Sequence, residues 1–193
     1  MPRIIAGRAG GRRIAAPGGR DTRPTGDRVR EALFAAALSD LGTFTGLRVL
    51  DLYAGSGALG LEALSRGAEH VLLVEAGRRA ASVLRRNVAA VGLAGAEVAQ
   101  ERVERVLARS PQVEGYDLVF ADPPYVTTEG EITVVLRALC DQGWLTPGAL
   151  VVVERASRGP HVTWPAGYEP GRVRRYGEAA LWYGHAASLH DPV

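Results

Sequence analysis

Lysine is absent from this chain: all 23 basic residues are arginine. Every fixed positive charge is therefore a planar guanidinium with a fork of donors. Cysteine is almost absent too. Cys140 stands alone, which excludes an intrachain disulfide and a multi-cysteine zinc site; among apolar helical neighbours it reads as a small buried hydrophobe. The four histidines are scattered without metal-ligand spacing. No apolar run approaches the ~20 residues of a membrane span. The start, Met1-Pro2-Arg3-Ile4-Ile5, lacks the long apolar core of a secretory signal, so a cytoplasmic protein without metal is expected. There are no internal repeats. What remains is 193 residues with a hydrophobic share of 47%, enough for one packed domain with at most a small appendage.

Charge is unevenly spread. The first thirty residues hold Arg3, Arg8, Arg12, Arg13, Arg20, Arg23, Arg28 and Arg30 against Asp21 and Asp27, a net of +6, so the remainder carries −4. A GC-rich genome accounts for arginine in place of lysine but not for this clustering. Residues 1–25 are rich in Gly, Arg and Pro. The alternation in 3–8 and 12–16 around Gly10-Gly11 predicts a small hairpin, anchored by Ile4, Ile5 and Ile14 with arginine outward. Thr25 or Asp27 is placed to cap a helix running through Leu38. Guanidinium groups at this density suggest phosphate contacts, and the eight arginines are the candidate RNA-contacting set. The chain divides on this reading into a basic extension, 1–25, and a main domain, 26–193.

The most informative stretch is Asp117-Leu118-Val119-Phe120-Ala121-Asp122-Pro123-Pro124-Tyr125. Leu118 to Ala121 reads as a buried strand, and the prolines force a stiff, extended exit. Asp122 thus sits at a strand's C-terminal end, where open α/β sheets bind ligands. The turn presents acceptors, the Asp122 carboxylate and the Pro123 carbonyl, beside the flat face of Tyr125. That set suits a planar group carrying an NH2, such as a nucleobase edge. Accepting both N–H bonds would localise the nitrogen lone pair and aim it, by positioning and electrostatics rather than full deprotonation.

Leu47 to Tyr53 reads as the first strand and Ala54 to Gly60 as the turn into a helix from Leu61 to Arg66. Gly55, Gly57 and Gly60 match a dinucleotide fingerprint. Asp51 argues otherwise, because a carboxylate there repels a pyrophosphate and suits the ammonium of a methionine moiety. His70 to Val74 is a second strand ending at Glu75, near the spacing at which an acid receives ribose hydroxyls. A helix from Arg78 to Val91 follows, with Asn87 read as structural. Ala96 to Gln100 is a weak strand, followed by Glu101-Arg102-Val103, a loop that by analogy with nucleotide-binding α/β folds would meet an adenine ring, Val103 by an apolar or backbone contact; a helix then reaches Arg109. Glu131 to Cys140 is helical, Gly143 to Gly148 a turn, Ala149 to Glu154 a buried strand. Residues 155–170 are irregular and long enough to shape a substrate entrance. Arg172 to Gly177 and Ala180 to Gly184 form a closing hairpin, with a frayed tail from His185.

Asp122-Pro123-Pro124-Tyr125 resembles, at all four positions, the (Asp/Asn)-Pro-Pro-(Tyr/Phe) motif of the S-adenosylmethionine-dependent amino-methyltransferases. Asp51-x-x-x-Gly55-x-Gly57 is similar to their cofactor motif. Arg3-Ile4-Ile5-Ala6-Gly7, Thr22-Arg23-Pro24-Thr25 and Val29-Arg30-Glu31-Ala32-Leu33-Phe34 resemble the N-terminus of the bacterial RsmD family, the 16S rRNA guanine-N2 methyltransferases. The resemblance implies an α/β fold, a Rossmann-like three-layer sandwich with a seven-stranded, mostly parallel sheet and a small N-terminal β-hairpin extension. It implies S-adenosylmethionine as cofactor, held by Asp51, Tyr53, Gly55, Ser56, Gly57, Glu75, Arg102, Val103 and Asp122. It implies catalysis by Asp122, Pro123, Pro124 and Tyr125, and 16S rRNA or a small ribosomal subunit as partner of a monomer. Other readings stay open: an adenine-N6 or other DNA or RNA amino-methyltransferase, and an RNA-binding assembly factor without turnover.

Overall fold

Val71-Leu72-Leu73-Val74 and Val151-Val152-Val153 are buried on both faces, as the strands of a helix-covered parallel sheet must be. The computed structural model of the protein describes residues 2–18 and 26–187. The chain runs α1 (Asp27–Leu41), β1 (Arg48–Leu52), α2 (Ala58–Ser65), β2 (His70–Val74), α3 (Arg78–Val91), β3 (Ala96–Ala99), α4 (Val103–Leu107), β4 (Tyr116–Ala121), α5 (Glu129–Asp141), β5 (Leu145–Ala156), β6 (Tyr168–Tyr176) and β7 (Ala179–Ala186). The sheet has seven strands in the order β3-β2-β1-β4-β5-β7-β6. The first five in that order pair in parallel; β7 pairs antiparallel with both β5 and β6.

Alternation along each strand builds two cores. Val49, Val71, Leu73, Leu118, Phe120, Leu150 and Val152 pack with Leu33 and Phe34 of α1, Leu59 of α2 and Leu84 of α3. Leu50, Leu52, Leu72, Val74, Val119, Val151 and Val153 pack with Val106 of α4 and Ile132 and Leu136 of α5. The result is the expected three-layer sandwich. The chain winds outward from β1 to β3 and then returns to place β4 on the other side of β1. That reversal opens a crevice at the C-terminal ends of β1 and β4.

Three expectations shift. Gly143 to Gly148 is not a free turn, because β5 begins at Leu145. Pro147 lacks an N–H and Gly148 has φ 77°, so the strand bulges there, with the register slipping between the Tyr116–Leu145 and Leu118–Leu150 pairs. His185 belongs to β7, opposite Leu150 and Glu169, so the strand continues past the point where fraying was expected. Helix α1 starts without a side-chain cap at Gly26 and continues to Leu41; Thr25 lies outside the described residues. By contrast, α5 has a full capping box between Thr128 and Glu131.

The hairpin at the N-terminus is fastened to α2 and α3. It closes through Ile4 N–H to the Arg12 carbonyl at 2.9 Å and Gly11 N–H to the Ile4 carbonyl at 2.8 Å. Ile4 and Ile14 are buried with Leu61 and Val91. The buried Glu62 carboxylate accepts the N–H groups of Ile5 (2.6 Å) and Ala6 (3.0 Å) and the Arg66 guanidinium (2.7 Å). A buried charge needs such compensation. Ser65 accepts from Ala9 N–H and donates to the Ala6 carbonyl. Arg8 donates to the Leu64 carbonyl, and Arg12 to the Ala90 and Val91 carbonyls, so two arginines place their charge at helix C-termini.

Two glycines in this hairpin separate strain from collision. Both have left-handed φ, 81° at Gly7 and 83° at Gly11. A Cβ at Gly11 meets open space, whereas one at Gly7 runs into the Ser65 carbonyl. Gly11→Ala should cost only the left-handed penalty, about 1 kcal/mol. Gly7→Ala should cost several times that, read as the shift in urea midpoint at constant slope. Equal shifts would show that the hairpin is not seated on α2 as described.

Candidate functional site

The parallel register brings acids from separate parts of the chain to one edge. Asp51 lies opposite Leu73 and Phe120, Glu75 follows β2, Asp122 follows β4, and Glu154 lies in β5 one residue beyond the Ala121–Val153 pair. Four neighbouring strands, β2, β1, β4 and β5, thus carry carboxylates at or near their C-terminal ends. Asp122 N–H reaches the Leu52 carbonyl at 3.4 Å, so the β1 and β4 tips are in contact. The two motifs read from sequence share one face of the molecule.

Asp51 is 2% exposed and accepts Gly60 N–H at 2.8 Å, capping the first turn of α2 from outside the helix. Burial pushes its carboxyl up to about 7; the Gly60 hydrogen bond pulls it down and the Glu75 charge adds to the rise. Gly60 is needed for contact, since a Cβ there would come within 2.7 Å of Leu73 and 2.8 Å of Val71. Gly57 has φ 80° and packs its back on Leu84. Gly55 has φ 56° and nothing nearer than 3.9 Å where a side chain would project. The turn is close-packed behind and open in front, which is a cradle. Glu75 accepts N–H from Gly55 (2.9 Å) and Gly77 (2.6 Å), one on each oxygen; each oxygen has a second lone pair for a hydroxyl.

Tyr53 is held at φ 62°, the one non-glycine with positive φ among the described residues. Such backbone costs of order 1 kcal/mol and gathers at functional sites. Its ring is half-buried against the α4–α5 core, and burial raises its phenol. Val103 is buried in that same core at the start of α4, which leaves the backbone rather than the side chain for a ring contact. Arg102 is exposed as the residue before the helix.

Asp122 is half-buried. Burial raises its carboxyl well above the usual range, and the Glu154 and Asp51 charges add to this. Pro123 is buried, while Tyr125 is 58% and Val126 88% exposed. A cleft of about 70 Å³ is lined by Asp122, Pro123, Tyr125, Glu154, Arg155, Gly159 and Pro160. The stretch after β5 does therefore form one wall beside the motif. Thr127 N–H closes a turn onto the Pro124 carbonyl at 2.9 Å. Buried Arg155 donates to the Thr127 carbonyl at 2.6 Å, bracing the segment that carries Tyr125. Thr163 donates to Glu129, tying the cleft wall to α5.

Glu154 and Arg155 escaped the sequence reading. Their one signal was position: an acid directly after Val151-Val152-Val153, as Asp122 follows its own apolar run. The arginine set splits. Arg3, Arg8, Arg12, Arg13 and Arg28 are exposed, although Arg3 pairs with Asp27 at 3.3 Å and Arg8 and Arg12 hold helix ends. Arg30 is 1% exposed and bonds to Asp27 (2.7 Å) and the Arg3 carbonyl (2.8 Å), so it presents no guanidinium to a phosphate. Arg20 and Arg23 lie outside the described residues.

The family model "Conserved hypothetical protein 95" matches residues 2–185. Ribosomal RNA small subunit methyltransferase D of Escherichia coli K12 is 36% identical over 181 residues, 92% of this chain and 86% of that protein. The protein of the same name from Haemophilus influenzae is 36% identical over 163 residues, 83% of this chain and 82% of its own. The solved structure of yhhF from Escherichia coli superposes with a TM-score of 0.82 at 34% identity, covering 97% of this chain and 98% of that one. With the match running through the hairpin, the glycine turn and the Asp-Pro-Pro-Tyr corner alike, the chain belongs to the conserved hypothetical protein 95 family, the RsmD family.

Proposed function

We propose that the protein is an rRNA methyltransferase that moves a methyl group from S-adenosylmethionine to the exocyclic N2 of one guanine in 16S rRNA. The observation that carries this reading is the row of carboxylates at the tips of β2, β1, β4 and β5. A donor bearing a sulfonium and an ammonium is stabilised there, and a pyrophosphate is repelled. The names of the relatives from Escherichia coli and Haemophilus influenzae support an rRNA substrate. The residues fit the cofactor: Asp51 for the ammonium, the open front of Gly55-Ser56-Gly57 for the methionine portion, Glu75 for the ribose hydroxyls, with Tyr53 and the Arg102-Val103 backbone flanking. When bound, S-adenosylmethionine supplies a methyl group made electrophilic by the sulfonium.

The chain's own residues then present the nucleophile. Asp122 accepts one N–H of the guanine amine and the Pro123 carbonyl accepts the other, while Pro124 keeps the turn rigid. This draws the lone pair out of ring conjugation and points it at the glycine turn. Tyr125 offers a half-exposed ring for stacking, worth about 1–3 kcal/mol per base. A carboxyl held well above its usual range is also a competent acceptor for the proton the nitrogen sheds with, or after, C–N bond formation. The guanine must leave its stack or sit in a loop, because a paired amine is inaccessible. The exposed arginines Arg3, Arg13 and Arg28 hold phosphates away from the acid row. A reaction on rRNA places the enzyme in the cytoplasm.

A tritiated-methyl assay with 16S rRNA, 30S particles, tRNA and DNA, followed by mapping of the methylated nucleotide, tests the substrate. Label on guanine N2 of 16S rRNA is expected; label on adenine N6 or on DNA would move the assignment to the rival amino-methyltransferases. Asp122→Ala should lower kcat by roughly 100-fold or more while leaving the Kd for S-adenosylhomocysteine within a few fold. Loss of cofactor affinity alone would contradict the role given to Asp122.

Asp51 makes the cofactor site pH-dependent. Its carboxyl, pushed up to about 7 in the free protein, must ionise to pair with an ammonium. Affinity for S-adenosylhomocysteine should therefore rise with pH and level off above that value, weakening up to about tenfold per unit below it. Asp51→Asn should bind more weakly and flatten the profile; a flat wild-type profile from about pH 5.5 to about 8 would sink this assignment. For RNA, Arg13→Ala and Arg28→Ala should each reduce the slope of log K against log salt by about 1. Slopes unchanged in both would remove these residues from the interface.

A further inference from the structure

Asn87 is a buried amide in the middle of α3, 2% exposed, and both ends of its side chain are committed. Its Oδ1 accepts the Ala15 N–H at 2.8 Å, and its Nδ2 donates to the Ala15 carbonyl at 2.8 Å. This reciprocal pair grips one peptide residue of the N-terminal arm as a neighbouring strand would. Nδ2 also donates to the Ser56 carbonyl at 2.8 Å, in the middle of Gly55-Ser56-Gly57. The same Ser56–Gly57 peptide is held at its other end, where Gly57 N–H donates to the Ala54 carbonyl at 2.7 Å. A peptide unit bonded at both its oxygen and its nitrogen cannot rotate without breaking one of the two. Leu84, one turn before Asn87 on α3, packs under Gly57. Helix α3 thus fixes both the height and the orientation of the turn.

We propose that Asn87 is a positioning residue for the cofactor turn, and that through it the seating of the N-terminal arm and the binding of the cofactor are coupled. This rests on the reading of the glycine turn as the S-adenosylmethionine cradle. An amide buried against two backbone segments loses most when either moves, since the groups left behind are buried and unpaired. The arm holds Asn87 in the rotamer that reaches Ser56; the turn, once filled by cofactor, holds it in the rotamer that grips Ala15. Coupling of this kind is reciprocal: what tightens the arm tightens the turn, and the converse. Arg13, two residues before the gripped Ala15, is an exposed member of the candidate phosphate-binding set.

The test uses the full chain and S-adenosylhomocysteine as probe. Asn87→Ala and the isosteric Asn87→Asp should each weaken binding about tenfold by calorimetry. Tyr168→Phe serves as control: it removes a buried hydrogen bond to the Leu136 carbonyl on the far layer, and should lower Tm without moving that Kd. Hydrogen–deuterium exchange of residues 2–18 should slow when the probe binds to wild type, and should not respond in either Asn87 variant. If Asn87→Asp folds and binds as wild type does, or if the wild-type arm shows no change in exchange on binding, the coupling does not exist. If wild type itself fails to bind the probe, the cofactor reading falls, and this inference with it.

Discussion

Everything at the working edge of this protein follows from like charges held close together. Glu75, Asp51, Asp122 and Glu154 lie at or near the C-terminal ends of four adjacent parallel strands, and a parallel sheet cannot spread them, because its strands lie ~4.8 Å apart. The protein tolerates the row by neutralising it in part. Asp51 and Asp122 are both pushed toward the protonated state by burial and by neighbouring acids, and Glu75 is stabilised by two backbone N–H groups. The edge is therefore primed for a cationic ligand, which restores the ionised state and relieves the repulsion in one step. It is equally hostile to phosphate. A nucleic acid meeting this face has to keep its backbone at a distance and insert a base alone, which is the geometry that flipped-base chemistry requires.

That separation of charges gives the arginine distribution its sense. The acidic edge and the basic N-terminal segment are the two poles of one molecule with a formal net charge of only +2. Yet the arginines do not form a uniform arm. Arg8 and Arg12 are tied to the carbonyl ends of α2 and α3, Arg30 is interior, and others face solvent. Arg12 and Arg30 each donate to two acceptors, carbonyls or a carboxylate, a role for which an ammonium is less suited.

Much of this is legible in the sequence. The 3.6-residue spacing places α3 at its observed bounds, and the apolar runs that end in Glu75 and Asp122 place those acids at strand tips. The glycine roles followed from Asp51 and from the short turn into α2. Other features were hidden for physical reasons. Glu154 and Arg155 leave a Val-Val-Val strand as any exit residues would; only strand order makes one a neighbour of Asp122 and the other a brace on Thr127. Pro147-Gly148 has the composition of a turn, and becomes a bulge because β4 supplies a partner on both sides of it. Arg30 and Arg28 are indistinguishable as letters, and only the way α1 lies against the hairpin decides which is buried.

The N-terminal segment packs onto the domain it precedes. It contributes Ile4 and Ile14 to a core shared with Leu61 and Val91, and it satisfies a buried carboxylate, Glu62, that would otherwise be costly to keep in α2. Helix α2 spans ~12 Å at 1.5 Å per residue. Its first turn is capped by Asp51 beneath the glycine turn, and its last is held by Ser65, Glu62 and Arg8 beneath the hairpin. Helix α3 is arranged alike, with Leu84 and Asn87 under the turn and its final carbonyls on Arg12. The elements proposed to meet RNA and those proposed to meet the cofactor thus sit at opposite ends of α2 and share the second half of α3. Close packing transmits strain along such helices, so neither seat can be rebuilt without disturbing the other.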